Sequence, residues 1–395
     1  MTLRRWIPAV VLIVSVAGLC AGALRPTLAQ GDTAGRATLV RVPDGGIQPR
    51  LAVDGQRVHL VYFKGDAAAG DLFYTSASSG GPFKPSIRVN TRPASAIATG
   101  SVRGANLALG KDGRVHVAWM GSARATPRGP GDATPMMYTR LNDAGTAFEP
   151  ERNVMQHAVG LDGGGTVAAD STGRVFVAWH AGGPSSQNET DRRVWVAPSR
   201  DDGKTFAREH PASPPETGAC GCCGISALAD PRGGLFVLYR GAAGLAQRDT
   251  YLLSSSDRGT TFGATKLSEW AIGGCPMSTF DLTDTSNGVF AAWETAGQVS
   301  MVRIGERGAL RPAISPAPEA GKPTRRFPVV AGNARGETVM VWTEGTAWQR
   351  GGDVAWQIFN AQGAPTNERG RVAGVPVWSF AGVYAHPDGR FTIVY

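Results

Sequence analysis

The sequence predicts an all-β fold, a β-propeller of four-stranded blades, and three observations carry that prediction. Glycine and proline punctuate the chain densely, 53 and 26 of 395 residues, and no long stretch shows helical periodicity. Short apolar runs alternate with turn residues throughout. One hairpin recurs about every 50 to 60 residues, a period that means stacked or ring-closed repeats.

The chain opens with Arg4 and Arg5, an apolar run "WIPAVVLIVSVAGLCAGAL", and "TLAQ", whose small Thr27 and Ala29 suit a signal-peptidase cut. Residues 1–29 therefore read as an export signal, with residues 30–395 as one propeller domain. Leu19 before Cys20 is a poor match to a lipoprotein box, so a soluble periplasmic or secreted protein is expected and no lipid anchor. No second apolar run approaches the roughly 18 residues that span a bilayer. Cleavage takes three arginines from a net charge of +8 and leaves +5, spread without blocks, which excludes a nucleic-acid footprint.

A strand "ATLVRV" (37–42) comes first. Seven hairpins follow: "RLAVDGQRVHLVYF", "NLALGKDGRVHVAWM", "TVAADSTGRVFVAWH", "SALADPRGGLFVLYR", "DLTDTSNGVFAAWE", "VVAGNARGETVMVWTE" and "VYAHPDGRFTIVY". Each joins an apolar strand through a Gly/Asp/Asn turn to a strand ending in an aromatic: Tyr62, Trp119, Trp179, Tyr239, Trp293, Trp342 and Tyr395. After the first six comes a third strand, such as "DLFYTSAS" or "TYLLSSS", and a polar fourth. A lone four-stranded unit cannot bury both faces, whereas a closed ring can. Six complete units span about 49 to 376, and the hairpin 380–395 remains. Pairing 37–42 with that hairpin makes a seventh, three-stranded blade and removes an open edge. Six blades with a decorated closure is the alternative.

Two turns between third and fourth strands read "SRDDGKTF" (199–206) and "SSDRGTTF" (255–262). In each, a serine (Ser199, Ser255) and an aspartate (Asp201, Asp257) can bond turn amides. Gly203 or Gly259 can take positive φ, and Phe206 or Phe262 can pack between sheets. These roles are structural. Decayed copies stand at "SASSGGPF" (76–83) and "LNDAGTAF" (141–148).

The paired S-x-D-x-G-x-T-F turns resemble the Asp-boxes of the sialidase, or BNR-repeat, superfamily, and the likeness runs over nearly the whole mature chain. It implies a propeller and, for the sialidases among its members, cleavage of terminal sialic acids. That chemistry uses an arginine triad, an acid/base aspartate and a tyrosine nucleophile supported by glutamate. Carried onto this chain as an exo-acting glycoside hydrolase, it points to Arg50, Arg103 and Arg326, with Arg240 a further arginine near a strand end. Tyr384 would be the nucleophile, with Glu294 or Glu344 as its partner. "IQPRLAV" departs from the family's pattern, because Arg50 follows the proline where the family's arginine precedes it.

The feature peculiar to this chain is "GACGCCGIS" (218–226), three cysteines within four positions. Cys223 stands three residues before Ser226, and Cys275 stands three before Ser278, each leading into an innermost strand. The repeat thus places Cys220, Cys222, Cys223 and Cys275, with Met277, on the axial face. The hairpin loops of that face add His180, Arg240, Arg248 and Asp249, and Trp270 is positioned to cover the cluster.

Three readings fit. One is a soft-metal site of Cys220, Cys222, Cys223, Cys275, Met277 and His180, for copper or zinc. The second is structural disulfides, natural in an exported protein. A Cys222–Cys223 bond is disfavoured because adjacent Cα atoms lie only about 3.8 Å apart, which leaves Cys222 or Cys223 to pair with Cys275. The third is a redox-active thiol pair beside Arg240 or Arg248. The surplus of thiols on one side favours metal. The expected protein is thus a sialidase-like propeller with an axial metal-binding cluster. An exo-sialidase, or a disulfide-stiffened module binding a glycan or an exported protein, are the alternatives.

Overall fold

The second strand of each hairpin is apolar on both sides, and the computed structural model, which describes residues 33–395 except 187, 231, 245, 306–307, 320 and 322–323, shows why. Val115–Met120, Val175–Ala181 and Leu235–Arg240 are buried along their whole length. Each sheet is covered on both faces by a neighbouring sheet, so alternation gives way to continuous burial.

The described residues form seven sheets, confirming the seven-bladed ring. We number the blades in chain order: 47–88, 106–153, 165–211, 226–268, 281–304, 325–375, and 382–394 joined by 33–40. The innermost strands neighbour one another in a closed circuit, blade 7 returning to blade 1. Seven hydrophobic clusters fill the seven interfaces between blades. The hairpin aromatics anchor them: Tyr62, Trp119, Trp179 and Tyr239 are fully buried, each worth roughly 1.5–3 kcal/mol in area removed from water.

Blade 7 closes the ring. Ala37–Val40 pairs in parallel with Phe391–Val394, in register Ala37 with Phe391 through Val40 with Val394. A further short strand, Thr33–Ala34, lies outside it, so this blade has four strands where the sequence suggested three. Blade 5 departs in the other direction. Its three strands, Asp281–Thr285, Gly288–Thr295 and Gln298–Ile304, are followed by two isolated bridges, Met301 with Ile314 and Ile304 with Leu310, where a fourth would be.

The two S-x-D-x-G-x-T-F turns are built alike. The Ser199 hydroxyl donates to Asp201 and accepts from the Gly203 amide, while Asp201 accepts from the amide and hydroxyl of Thr205. Ser255, Asp257, Gly259 and Thr261 repeat the pattern. Gly203 and Gly259 have φ of +76° and +78°, a conformation that favours glycine. Phe206 meets the ring of Tyr138 on blade 2 edge-on at 4.7 Å, and Phe262 faces His210 at 6.5 Å.

Antiparallel order fixes the two faces of the ring. These turns lie at one end of the strands, and the entries to the innermost strands lie at the other. Among the described residues no helix is long and apolar enough to cross a membrane.

Candidate functional site

Two entry loops meet on the axial face, one before Ser226–Ala229 of blade 4 and one before Asp281–Thr285 of blade 5. The Cys220 amide donates to the Arg240 carbonyl at 2.9 Å, and the Gly224 amide donates to the Ser278 carbonyl at 2.9 Å. Glycines let the first loop sit this close. Gly218 has φ +56°, and a Cβ there would meet the Ala242 carbonyl at 2.6 Å. A Cβ on Gly221 would lie 2.9 Å from the Arg192 guanidinium.

The loops are joined by a disulfide between Cys222 and Cys275, with Cα atoms 6.3 Å apart. Cys220 and Cys223 carry no disulfide. The Cys220 sulfur lies 3.3 Å from that of Cys222 and 3.5 Å from that of Cys223. All three sulfurs fall within 4.8 Å of one another and all three residues are buried, whereas Cys275 is exposed.

Charge around this group is arranged asymmetrically. Burial opposes a thiolate at Cys223, but the Cys220 thiol, the Arg240 cation and Ser278 outweigh it and hold Cys223 down to about 6. Cys220 is pushed up by its hydrogen bond to Cys223 and by burial. Arg240 is 1% exposed and donates to the Arg248 carbonyl at 2.7 Å, the Ser278 hydroxyl at 3.0 Å and the Glu294 carbonyl at 2.5 Å. Its guanidinium stacks near Trp270 at 4.9 Å and Phe280 at 5.4 Å. Trp270 thus meets Arg240 through a cation–π contact. Glu294 is 1% exposed with Oε2 unpartnered. Burial pushes its carboxyl up to about 7 against the pull of Arg326 and Arg240.

Arg248 and Asp249 act on the loops' geometry. Arg248 pairs with Glu189 at 2.9 Å, and Glu189 accepts from the Gly221 amide at 3.0 Å, which ties the first cysteine loop to blade 3. Asp249 accepts from the Trp270 amide at 3.0 Å and pairs with Lys266 at 3.0 Å.

Two other predicted ligands stand apart from the sulfurs. His180 faces the Cys223 carbonyl through Nε2 at 2.7 Å; burial lowers it to about 4, and Nδ1 is left without a partner. Met277, at φ +50°, packs against the same apolar cluster, and its methyl carbon fills the space beside Gly100.

The residues taken from the family resemblance divide between the faces. Arg326 lies close enough to act on Glu294. Arg50 lies over the Phe380 ring at 4.5 Å and acts on Asp281, whose carboxyl burial raises to about 6. Arg103 is tied to Asp162 at 2.6 Å and to the Thr99 carbonyl at 3.0 Å. Tyr384 packs against His386 at 4.9 Å, and His386 bonds Ser79 at 2.8 Å in the turn between the third and fourth strands of blade 1. That is the face opposite the arginines. Glu344 sits in blade 6, accepting from Trp342 Nε1 at 2.9 Å beside Arg325 and Arg371. Sequence reasoning missed Asp281, Asp162 and Glu189. The one available signal was for Asp281, a charge inside the innermost strand of its repeat.

No family model matches the sequence, and no curated relative does. Solved structures do. A protein of unknown function from Dyadobacter fermentans DSM 18053 superposes with TM-score 0.51 at 14% identity, over 83% of this chain and 94% of that one. The NanB sialidase of Streptococcus pneumoniae gives 0.52 at 9% identity, over 87% of this chain and 70% of that one. An α-L-arabinanase from Penicillium chrysogenum gives 0.49 at 13%, over 82% and 96%. At such identities the likeness is one of fold: the chain is a sialidase-like propeller.

Proposed function

We propose that the protein is an exported propeller whose axial thiols bind a soft metal cation, Cu(I) in preference to zinc. The observation that supports this reading is the burial of three cysteine sulfurs within 4.8 Å of one another. Thiolate sulfur selects Cu(I) and zinc among biological metals. Structural zinc takes four ligands, while Cu(I) is content with three or fewer, and three sulfurs gather here. One ligand is already prepared for a cation, because Cys223 is held toward its thiolate. In this scheme Cys220, Cys223 and, once its bond to Cys275 is reduced, Cys222 are the ligands, and His180 braces the loop through the Cys223 carbonyl.

Export rests on the leader at 1–29, which lies outside the described residues. Membership of the sialidase or BNR superfamily is proposed from the two intact turns together with the fold. A hydrolase using Arg50, Arg103, Arg326 and Tyr384 is less well supported, because Tyr384 faces the other end of the ring. An exported protein that passes on the metal suits this site better as a partner than a glycan does, since the site is built from sulfur.

The test is anaerobic loading of the reduced protein with Cu(I), followed by desalting and elemental analysis. One copper per chain is expected, lost when Cys220, Cys222 and Cys223 are all replaced by serine. Copper retained by that triple variant overturns the ligand set. Protein that holds no copper overturns the metal reading.

A further inference from the structure

We infer that the Cys222–Cys275 disulfide is a redox gate on this site, an inference that rests on the metal reading above. Cys222 belongs to two groups at once. It is one of the three gathered sulfurs and also one half of the disulfide. While the bond stands, the site offers two thiols, Cys220 and Cys223, in place of three.

The bond governs entry as well as ligand number. Cys220 and Cys223 are 0% exposed and Cys222 is 9% exposed. Cys275 is exposed, and Gly273 and Gly274 beside it have nothing within 4 Å of where a Cβ would stand. The disulfide therefore pins an otherwise open loop across a closed set of thiols. A metal site needs an entry path as well as ligands, and releasing Cys275 supplies one.

The exposure difference also fixes where a reductant acts. One thiolate of an external dithiol attacks the Cys275 sulfur, the Cys222–Cys275 bond breaks, and Cys222 leaves as a thiolate. The second thiol of the reductant then attacks the mixed disulfide and leaves Cys275 as a thiol. The dithiol gives up two electrons and ends as its own disulfide, and the protein gains two thiols. Cys222 is thereby freed 3.3 Å from the Cys220 sulfur, among its fellow ligands. Re-oxidation by a disulfide partner runs the steps backwards and withdraws the third ligand, so metal uptake and release follow the thiol poise of the compartment.

The experiment is an anaerobic Cu(I) titration against a chromogenic Cu(I) chelator, on oxidised protein, on protein reduced with a dithiol and desalted, and on Cys275→Ser. Reduction is expected to raise the thiol count by two and the Cu(I) affinity at least about tenfold. Disturbing even an outer-shell partner commonly costs that much, and here a direct ligand is regained. Cys275→Ser, with Cys222 free from the start, is expected to match the reduced protein before any reductant is added. Oxidised protein that binds as tightly as reduced protein and Cys275→Ser overturns the gate and leaves the metal site standing. Absence of binding in all three samples overturns the site and the gate with it.

Discussion

Arg240 donates through Nη2 to the Ser278 hydroxyl at 3.0 Å, and that hydroxyl lies 3.9 Å from the Cys223 sulfur. A buried cation and a buried thiol thus meet through one hydroxyl, which lets the cation lower the thiol without touching it.

Ser278→Ala removes that link while leaving Arg240 in place. The Cys223 titration is expected to move up from about 6 toward the ordinary thiol range, read as ultraviolet thiolate absorbance against pH. A thiol depressed in the folded state contributes stability that is present above the unfolded value, about 8.5, and lost as pH falls through about 6. Ser278→Ala is expected to shrink that acid-side loss. An unmoved titration midpoint means that Ser278 does not tune the thiol.

The turn glycines divide by what stands above them. A Cβ on Gly203 would lie 1.7 Å from the Tyr138 hydroxyl, while Gly145, also at positive φ, has nothing within 4 Å. Gly145→Ala should cost only the left-handed penalty of about 1–2 kcal/mol. Gly203→Ala adds displacement of a buried tyrosine and is expected to cost about 3 kcal/mol or more. Urea midpoints of the two variants measure the difference, and equal losses would show that the turn does not grip blade 2.

The blade count was legible in the sequence because the second strands are long, apolar and aromatic-ended. The outer strands were less so. Ile87–Arg88, Arg152–Asn153 and His210–Pro211 are two residues each, too short to carry a period. The meeting of Cys223 and Cys275 loops followed from register, since equivalent positions in adjacent blades must be neighbours around an axis. Which cysteine takes Cys275 did not follow, because Cys222 and Cys223 differ in side-chain direction and sequence alone does not fix it. The pinning of Gly221 by Glu189 was invisible for a similar reason: it joins loops of blades 3 and 4 whose positions only the closed ring determines.

Glu294 and Asp281 predict a pH response opposite to that of the buried histidines. Burial raises these carboxyls to about 7 and about 6, so between about pH 4 and those values the folded chain binds more protons than the unfolded one. Stability from these two groups therefore falls as pH rises through that window. His180, lowered to about 4, pulls the other way, adding stability as pH rises toward 6.5. Glu294→Gln removes the first slope at its strongest contributor. Its unfolding free energy, from urea titrations, is expected to gain on the parent's between pH 5 and pH 8, by an amount of order a few kcal/mol for a carboxyl this buried. Parallel pH profiles for parent and variant would mean that Glu294 is already ionised at pH 5.

Closure of the ring depends on a strand contributed by the other end of the chain. Ala37–Val40 pairs with Phe391–Val394, and the Val42 amide donates to the Tyr395 carbonyl at 3.1 Å while Tyr395 donates to Val40 at 3.0 Å. Arg36 adds ion pairs to Glu337 at 2.5 Å and Glu368 at 2.7 Å on blade 6. Deleting 33–41 strips the outer partner from Phe391–Val394 and opens a sheet edge that invites pairing with a second chain. The truncated protein is expected to unfold at lower urea and to elute as dimers or larger species on size exclusion. Leu39→Ala separates packing from pairing: it leaves every backbone bond but hollows a side chain that is 5% exposed, for a cost of about 2–5 kcal/mol with the chain still monomeric. A truncated chain that stays monomeric at the parent's urea midpoint would show that six blades and a bare hairpin suffice to hold the ring.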